Sequence, residues 1–181
     1  MRLFFGLSLP DPARRAVAAF AAQAQFAVPG RYVPAENYHV TLAFLGEVLP
    51  QRLAQAQETL ARCAQAFPPP QLSPAGAALF GKRQNGILVL RYDSGPDLTP
   101  LHGALIEALR AQELPADPGP FTPHVTLARH ARAQEDTLRA LGAPAAAGFD
   151  AAAAHVFLSA RDAEGILRYT PLFSTPFRQT L

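Results

Sequence analysis

The chain of 181 residues has no tryptophan, one cysteine (Cys63) and one lysine (Lys82). A single cysteine excludes an internal disulfide and a thiolate metal cluster, and the apolar helical spacing around Cys63 indicates a buried, inert thiol. No hydrophobic run approaches the roughly 20 residues that a membrane span needs. The opening MRLFFGLSLP is too short for a secretory signal, so we expect a cytoplasmic protein without a membrane partner.

An excess of charge of one sign is also lacking, because 16 basic and 14 acidic side chains leave a net charge of +2. This balance favours an anionic partner but falls short of the charge that coats nucleic acid non-specifically. Nearly all the basic residues are arginine, whose planar guanidinium can bond two phosphate oxygens at once. The hydrophobic fraction of 49% and the length fit one domain with a sizeable core, expected to span residues 1–181.

The pentapeptide HVTLA occurs twice, at 39–43 and at 124–128, about 85 residues apart. That period is too long for a solenoid and fits a duplicated lobe. Strand-like and helical segments follow a similar order around both copies, and the pair Asn85-Gly86 predicts a hairpin between two strands. We therefore predict an α+β fold of two pseudo-symmetric lobes, with mainly antiparallel sheets facing a central cleft and helices on the outside.

Each copy of the pentapeptide offers a histidine and a threonine on one face, because side chains alternate along a strand. His39 with Thr41 and His124 with Thr126 can then confront each other across the cleft. Two imidazoles on opposite sides suit in-line displacement at phosphorus, since one takes a proton from the nucleophile while the other protonates the leaving group. The threonine hydroxyls can donate to the phosphate oxygens.

Other interpretations of the repeat are structural packing, a metal site and a silent binding module. Packing alone would not favour histidine at both polar positions. Zinc or iron sites need three or four ligands, usually with carboxylate or cysteine, and the nearby Glu36 and Glu47 lie off the strand face, so we expect no metal and no other cofactor. A catalytically silent binding module would be served better by arginine or lysine than by paired histidines.

Four blocks of the sequence, in order, resemble the 2H phosphoesterase superfamily, which is defined by two H-x-T-x motifs. They are RLFFGLSLP (2–10), ENYHVTLAFLGEV (36–48), FTPHVTLAR (121–129) and RYTPL (168–172). The chain looks most similar to the branch of RNA 2′,3′-cyclic phosphodiesterases, also called 2′-5′ RNA ligases. This resemblance implies a two-lobed α+β fold and metal-independent hydrolysis of RNA 2′,3′-cyclic phosphate ends to 2′-phosphates.

The same resemblance implies roles for individual residues. His39 would donate the proton to O3′ and His124 would be the base that activates water, an assignment that the symmetry of the motif does not itself provide. Thr41 and Thr126 would hold the phosphate oxygens. Arg129 matches the family's arginine and would clamp the phosphate, but strand alternation places it opposite His124 unless the strand twists or ends early, so a solvated strand-end arginine is an open alternative.

Aromatic side chains near the motifs are candidates to contact a nucleotide. Phe5 and Phe44 could stack on a base, and Tyr169 could border the cleft. Core packing is the alternative role for both phenylalanines, and Phe44 has the wrong strand parity relative to the first motif histidine. Among the three remaining histidines, His130 would lie at the rim and the other two would be structural or surface residues.

The substrate implied by the resemblance is RNA with a 2′,3′-cyclic phosphate end or a related cyclic nucleotide. Reversible 2′-5′ RNA ligation at the same site is a second enzymatic interpretation, since joining is the reverse displacement with an RNA hydroxyl in place of water. A catalytically silent module that binds RNA ends or nucleotides is the alternative from another class. We expect a monomer, because one chain already contains both half-sites.

Overall fold

The computed structural model describes residues 1–117 and 119–179. Short 3-10 turns occupy Ala35–Asn37, Pro50–Arg52 and Ala145–Ala147. In the described part of the chain the strands are β1 (Arg2–Ser8), β2 (Arg31–Tyr32), β3 (His39–Glu47), β4 (Gln71–Lys82), β5 (Asn85–Ser94), β6 (His124–Ala131), β7 (Phe149–Asp150), β8 (Ala153–Arg161) and β9 (Leu167–Pro176). The α-helices are α1 (Asp11–Ala24), α2 (Leu53–Ala66), α3 (Leu98–Ala111) and α4 (Glu135–Leu141).

These strands form two sheets in which every neighbouring pair is antiparallel. The first sheet has the strand order β3-β1-β8-β9, and the second has the order β2-β6-β5-β4-β7. Each sheet thus contains one of the two HVTLA strands, β3 in the first sheet and β6 in the second. The predicted α+β class with mainly antiparallel sheets is confirmed.

The two halves of the chain exchange strands. Apart from the short β2 and β7, the runs β1-α1-β3-α2-β4 and β5-α3-β6-α4-β8 list the same elements in the same order. However, β4 pairs with β5 in the second sheet, and β8 pairs with β1 in the first sheet. The last strand of each run therefore completes the sheet of the other run, so neither half of the sequence contains a whole sheet.

One hydrophobic core joins both sheets and the helices. Helix α3 buries Leu101, Leu105 and Leu109, which recur at helical spacing, and it packs on β3 and on α2. Helix α2 also packs on β8 and β9. Each fully buried leucine contributes about 1.5–3 kcal/mol to the free energy of folding. No helix within the described residues is long and apolar enough to cross a membrane.

The hairpin predicted at Asn85-Gly86 forms, but its turn lies two residues earlier. Residues 83–84 make the turn, whereas Asn85 and Gly86 already belong to β5 and pair with β4. A Cβ atom on Gly86 would lie 2.8 Å from the carbonyl oxygen of Phe80, so the glycine permits close approach of the two strands. The Asn-Gly pair therefore locates the hairpin without fixing its register.

Candidate active site

The two HVTLA strands carry the same irregularity at the same place. In β3 the ladder to β1 skips Leu42, the residue after Thr41. In β6 the ladder to β5 skips Leu127, the residue after Thr126. Such a β-bulge reverses the alternation of the side chains that follow it. The leucine and alanine of each copy are accordingly buried one after the other, and the next residue returns to the face of the histidine and threonine.

This reversal brings Phe44 and Arg129 onto the cleft side of their strands, where both line the cleft. Regular alternation predicted the opposite face for each, and that expectation is wrong because of the bulges. Arg129 is also close enough for its positive charge to lower the pKa of His39. Arg129 therefore lines the cleft, although its side chain remains exposed to solvent.

All four motif side chains line one cleft of about 620 Å³, with β3 and β6 in contact beside it. His39 and Thr41 approach from the first sheet, and His124 and Thr126 approach from the second. Among the described residues that line the cleft, none belongs to an α-helix. The site is thus built mainly on strands of the two sheets.

Each motif histidine is fixed by the carbonyl group two residues before it. The Nδ1 of His39 donates to the carbonyl oxygen of Asn37 at 2.7 Å, and the Nδ1 of His124 donates to that of Thr122 at 2.6 Å. Because a carbonyl group only accepts, Nδ1 carries the hydrogen in both rings. Nε2 is left to exchange a proton in the cleft, so either ring can act as a base when neutral and as an acid when protonated.

Burial lowers the pKa of both motif histidines. For His39, burial has the largest effect, the hydrogen bond to the Asn37 carbonyl opposes it, and the charges of His124 and Arg129 add to the lowering, which brings the pKa to about 4. For His124, burial also lowers the pKa, against the raising effect of the Thr122 carbonyl. In the unliganded protein both rings therefore favour the neutral form, whereas a phosphate between them would favour protonation.

An aromatic wall surrounds His39. The ring centroids of Phe4 and Tyr169 each lie 4.7 Å from the centroid of its imidazole, and Phe157 stacks on Phe4 at 5.0 Å. These rings exclude water from the imidazole and account for the strong effect of burial on its pKa. The sequence analysis missed Phe4, because β1 is buried at five successive positions and shows no alternation.

Phe5, predicted as a candidate to stack on a base, lies in the hydrophobic core with 0% of its surface exposed. That prediction is wrong, because neighbouring residues of a strand point to opposite faces and it is Phe4 that lines the cleft. Phe4 is itself only 2% exposed. Phe44 and Tyr169, both half-buried and both lining the cleft, are the rings that a nucleotide can reach.

Asn37 connects β9 to the first motif. Its Nδ2 donates to the carbonyl oxygen of Leu167 at 2.7 Å, and its Oδ1 accepts from the backbone N–H of Tyr169 at 3.3 Å. The side chain is buried, and the backbone carbonyl of the same residue holds the His39 ring. Asn37 thus positions the imidazole and the neighbouring tyrosine together, and a polar residue two positions before the histidine was its only signal in the sequence.

Positively charged side chains surround the cleft, and none of the described residues that line it has a carboxylate. Three arginines that the sequence analysis missed, Arg2, Arg31 and Arg161, line it together with Arg129. The Arg2 guanidinium lies over the Phe44 ring, 5.1 Å from its centroid. Such a one-sided arrangement creates a positive potential that attracts anions.

The three remaining histidines lie in different parts of the fold. His130 lines the rim, with a positive φ of 53° and its Nδ1 2.8 Å from Oδ1 of Asn85. His102 donates from α3 to the carbonyl oxygen of Leu42 at 2.7 Å, and the Nδ1 of His155 on β8 lies 2.7 Å from the Oγ of Ser174 on β9. Neither of the two lines the cleft. Within residues 1–117 and 119–179, no three histidine, cysteine or acidic side chains are grouped so that they could hold a metal ion.

The family model of the 2′-5′ RNA ligase superfamily matches residues 9–163, which include both motifs. The chain belongs to this family. An RNA 2′,3′-cyclic phosphodiesterase of Geobacillus stearothermophilus is 34% identical over 146 residues, which cover 77% of this chain and 46% of that protein. This chain therefore matches slightly less than half the length of that relative. The resemblance to the 2H phosphoesterases is confirmed.

Solved structures of the family share the fold along nearly the whole chain. LigT of E. coli complexed with 3′-AMP is 27% identical, covers 98% of both chains and has a TM-score of 0.78. The phosphate complex of LigT covers the same share of both chains at 27% identity, with a TM-score of 0.76. The two-sheet arrangement described above is thus a LigT-like fold.

Proposed function

We propose that the protein hydrolyses the 2′,3′-cyclic phosphodiester ends of RNA to 2′-phosphomonoesters, using two histidines as acid and base. The observation that carries this proposal is the position of His39 and His124, which reach one cleft from separate sheets with Nδ1 fixed and Nε2 free. In-line displacement needs proton transfer on both sides of the phosphorus, and two histidines from separate strands match that need. The name of the Geobacillus stearothermophilus relative supports the same reaction.

In the proposed reaction the Nε2 of His124 takes a proton from water while the water oxygen attacks phosphorus. The bond between phosphorus and O3′ breaks, and O3′ takes the proton from Nε2 of His39. The products are a 2′-phosphate and a 3′-hydroxyl, and exchange with solvent restores both rings. Thr41 and Thr126 donate to the non-bridging oxygens, and Arg129 binds them through its planar guanidinium.

The acid role of His39, which the family resemblance implies, has a physical requirement. With a pKa of about 4 in the unliganded protein, this ring is mostly neutral near pH 7. A bound phosphate raises the pKa of a neighbouring imidazole, because it favours the charged form. His39 therefore becomes a proton donor when substrate binds, because the negative phosphate raises its pKa and so opposes the lowering caused by burial against Phe4 and Tyr169.

The first test uses purified protein in EDTA with a short RNA that ends in a 2′,3′-cyclic phosphate. We expect the wild type to yield the 2′-phosphate isomer, and both His39→Ala and His124→Ala to lose at least about 100-fold in rate. His155→Ala, on β8, is the matched control and should retain activity. Binding without hydrolysis by the wild type would instead indicate a silent recognition module, and joining to an RNA with a 5′-hydroxyl would indicate ligation.

The acid and base roles are separated by a substrate whose bridging O3′ is replaced by sulfur. Thiolate is a good leaving group that needs little protonation, so loss of the acid should matter less on this substrate than loss of the base. We expect the defect of His39→Ala to shrink by at least about tenfold, while that of His124→Ala persists. The reverse pattern would exchange the two roles.

We also propose that residues 1–181 act as one bilobal domain and as a monomer in the cytoplasm. The exchange of β4 and β8 between the two halves supports a single domain. The monomer is supported by the supply of both half-sites from one chain. Location in the cytoplasm, a reducing compartment, is supported by a sequence whose single cysteine is half-buried and free.

A further inference from the structure

Arg31 and Arg129 lie directly opposite each other on neighbouring strands. Arg31 of β2 is the register partner of Arg129 of β6 in an antiparallel pair. Direct partners extend from the same face of a sheet, and both arginines line the cleft. Two guanidinium groups therefore project side by side toward the site.

This pair has no compensating charge in the part of the chain that the structure describes. Like charges directly opposite on a sheet destabilise it. Among the described residues neither arginine forms an ion pair, and no carboxylate lines the cleft. This arginine pair, which lowers stability and has no counter-charge among the described residues, is suited to bind an anionic ligand.

The strand that carries Arg31 breaks the pseudo-symmetry of the fold. In the first sheet β3 is an edge strand, whereas in the second sheet β6 has β2 added on its outer side. The addition is well anchored, because Val33 donates its backbone N–H to the Leu127 carbonyl at 2.8 Å. Gly30 also packs so closely that a Cβ atom there would lie 3.2 Å from Ala131. The second half-site therefore has an added edge strand, and with it Arg31, that has no counterpart in the first half-site.

The two arginines lie on different strands of the second sheet. Arg129 lies on β6, the strand that also carries His124 and Thr126, whereas Arg31 lies on β2, at the edge of the sheet. Arg31 is thus the outer member of the pair, and Arg129 is the member beside the reacting phosphate. A cyclic phosphate carries one negative charge, which Arg129 and the two threonines already address.

We propose that Arg31, together with Arg129, binds a second phosphate, namely the phosphodiester on the 5′ side of the terminal nucleotide. This inference rests on the proposed function and deepens it. The substrate class it names is the end of an RNA oligonucleotide rather than a cyclic mononucleotide, because only the oligonucleotide supplies that second charge. Arg31 is a binding residue and takes no part in proton transfer.

The test compares three substrates with the same terminal 2′,3′-cyclic nucleotide. They are the cyclic mononucleotide with a 5′-hydroxyl, the dinucleotide with a normal phosphodiester, and the dinucleotide with an uncharged methylphosphonate link. We expect the wild type to prefer the charged dinucleotide over the uncharged one by about tenfold in kcat/KM, as for a charge-assisted contact. Arg31→Gln should reduce this preference to less than about twofold and leave hydrolysis of the mononucleotide within about twofold.

Two further variants separate charge from structure. Arg31→Lys keeps the charge and should retain most of the preference. Arg62→Gln, at an exposed position of α2 that does not line the cleft, should behave as the wild type. For the charged dinucleotide, the slope of log kcat/KM against log salt concentration should become less negative by about one in Arg31→Gln. The slope should not change in Arg31→Lys or in Arg62→Gln.

Equal losses on all three substrates would overturn the proposal, because Arg31 would then act on the terminal phosphate or on folding. Unchanged kinetics of Arg31→Gln would also overturn it. Failure of the proposed function is a separate result, in which the wild type hydrolyses none of the three substrates.

Discussion

Leu42 and Leu127 occupy equivalent places in the two sheets, because each is the bulged residue that follows a motif threonine. A second register shift follows in each strand, around Leu45 in β3 and His130 in β6. The repeated pentapeptide thus has a repeated backbone irregularity as well as repeated side chains. The position five residues after each histidine is turned into the cleft as a result.

That position is also where the two half-sites differ. The first half-site has Phe44 there, and the second has Arg129. An aromatic ring suits a base, and a guanidinium suits a phosphate. The pseudo-symmetric fold therefore gives each side of the cleft a different ligand group at the same structural position.

The pH dependence of kcat/KM follows from the burial of both imidazoles, because this parameter reports the ionisation of the free protein. Turnover needs one ring protonated and the other neutral, so kcat/KM should peak between the two pKa values. Burial lowers both from the ordinary 6.5, that of His39 to about 4, so the maximum should lie below pH 6.5 and the rate should fall as pH rises. The optimum of kcat should lie at higher pH, since bound phosphate raises both pKa values.

Initial rates at low and at saturating substrate, measured from about pH 4 to pH 9, check this prediction. The variant Phe4→Leu gives an internal control, because a smaller apolar neighbour admits water to His39 and should move the acidic limb upward. A kcat/KM optimum above pH 7 in the wild type would show that the buried rings do not titrate as the structure indicates.

The motif histidines and threonines were predictable from the sequence because a two-residue alternation needs no knowledge of the partner strand. Phe44 and Arg129 were not, since the bulges depend on how β3 pairs with β1 and how β6 pairs with β5. The fold class followed from the repeat, but the exchange of β4 and β8 between halves did not. Local patterns say nothing about which distant strand completes a sheet.

Phe4 and Arg31 show two other reasons why residues of the cleft were missed in the sequence. Strand β1 is apolar and buried on both faces, so its sequence does not reveal which phenylalanine faces the cleft. Arg31 lies on a strand of two residues whose pairing with β6 is a contact between distant parts of the chain. Its place in the cleft is a property of tertiary structure alone.

Phe44 and Phe5 provide a matched pair of substitutions. Phe44→Ala should raise KM for an RNA substrate by about fivefold to 100-fold, the usual range for loss of one stacked base, with little change in the free energy of unfolding. Phe5→Ala should lower the free energy of unfolding by about 3–5 kcal/mol, because it empties a fully buried position. Steady-state kinetics and urea denaturation measure the two effects. A large loss of stability in Phe44→Ala with unchanged KM would assign that ring to packing.

Asn37→Ala should reduce both stability and activity. The substitution leaves the Leu167 carbonyl and the Tyr169 N–H without their partner in a part-buried place, which costs about 1–3 kcal/mol each in the free energy of unfolding. It also frees Tyr169 from its position against His39, so kcat should fall more than KM rises. Asn85→Ala, which removes one hydrogen bond at an exposed residue, should cost less than about 1 kcal/mol. Equal effects of the two substitutions on kcat would contradict the positioning role.

The chain divided within the turn at 83–84 should yield two fragments that do not fold separately. The fragment that contains β1, β3 and β4 lacks β8 beside β1 and β5 beside β4, and the other fragment lacks the reciprocal strands. The first sheet is thus cut through its centre and the second sheet loses three of its four strand pairings, so the buried leucine side chains lose the surfaces that cover them. Circular dichroism and amide hydrogen exchange should show unfolded fragments, whereas an equimolar mixture should recover the fold and the activity. A fragment that shows cooperative unfolding on its own would instead divide residues 1–181 into two domains.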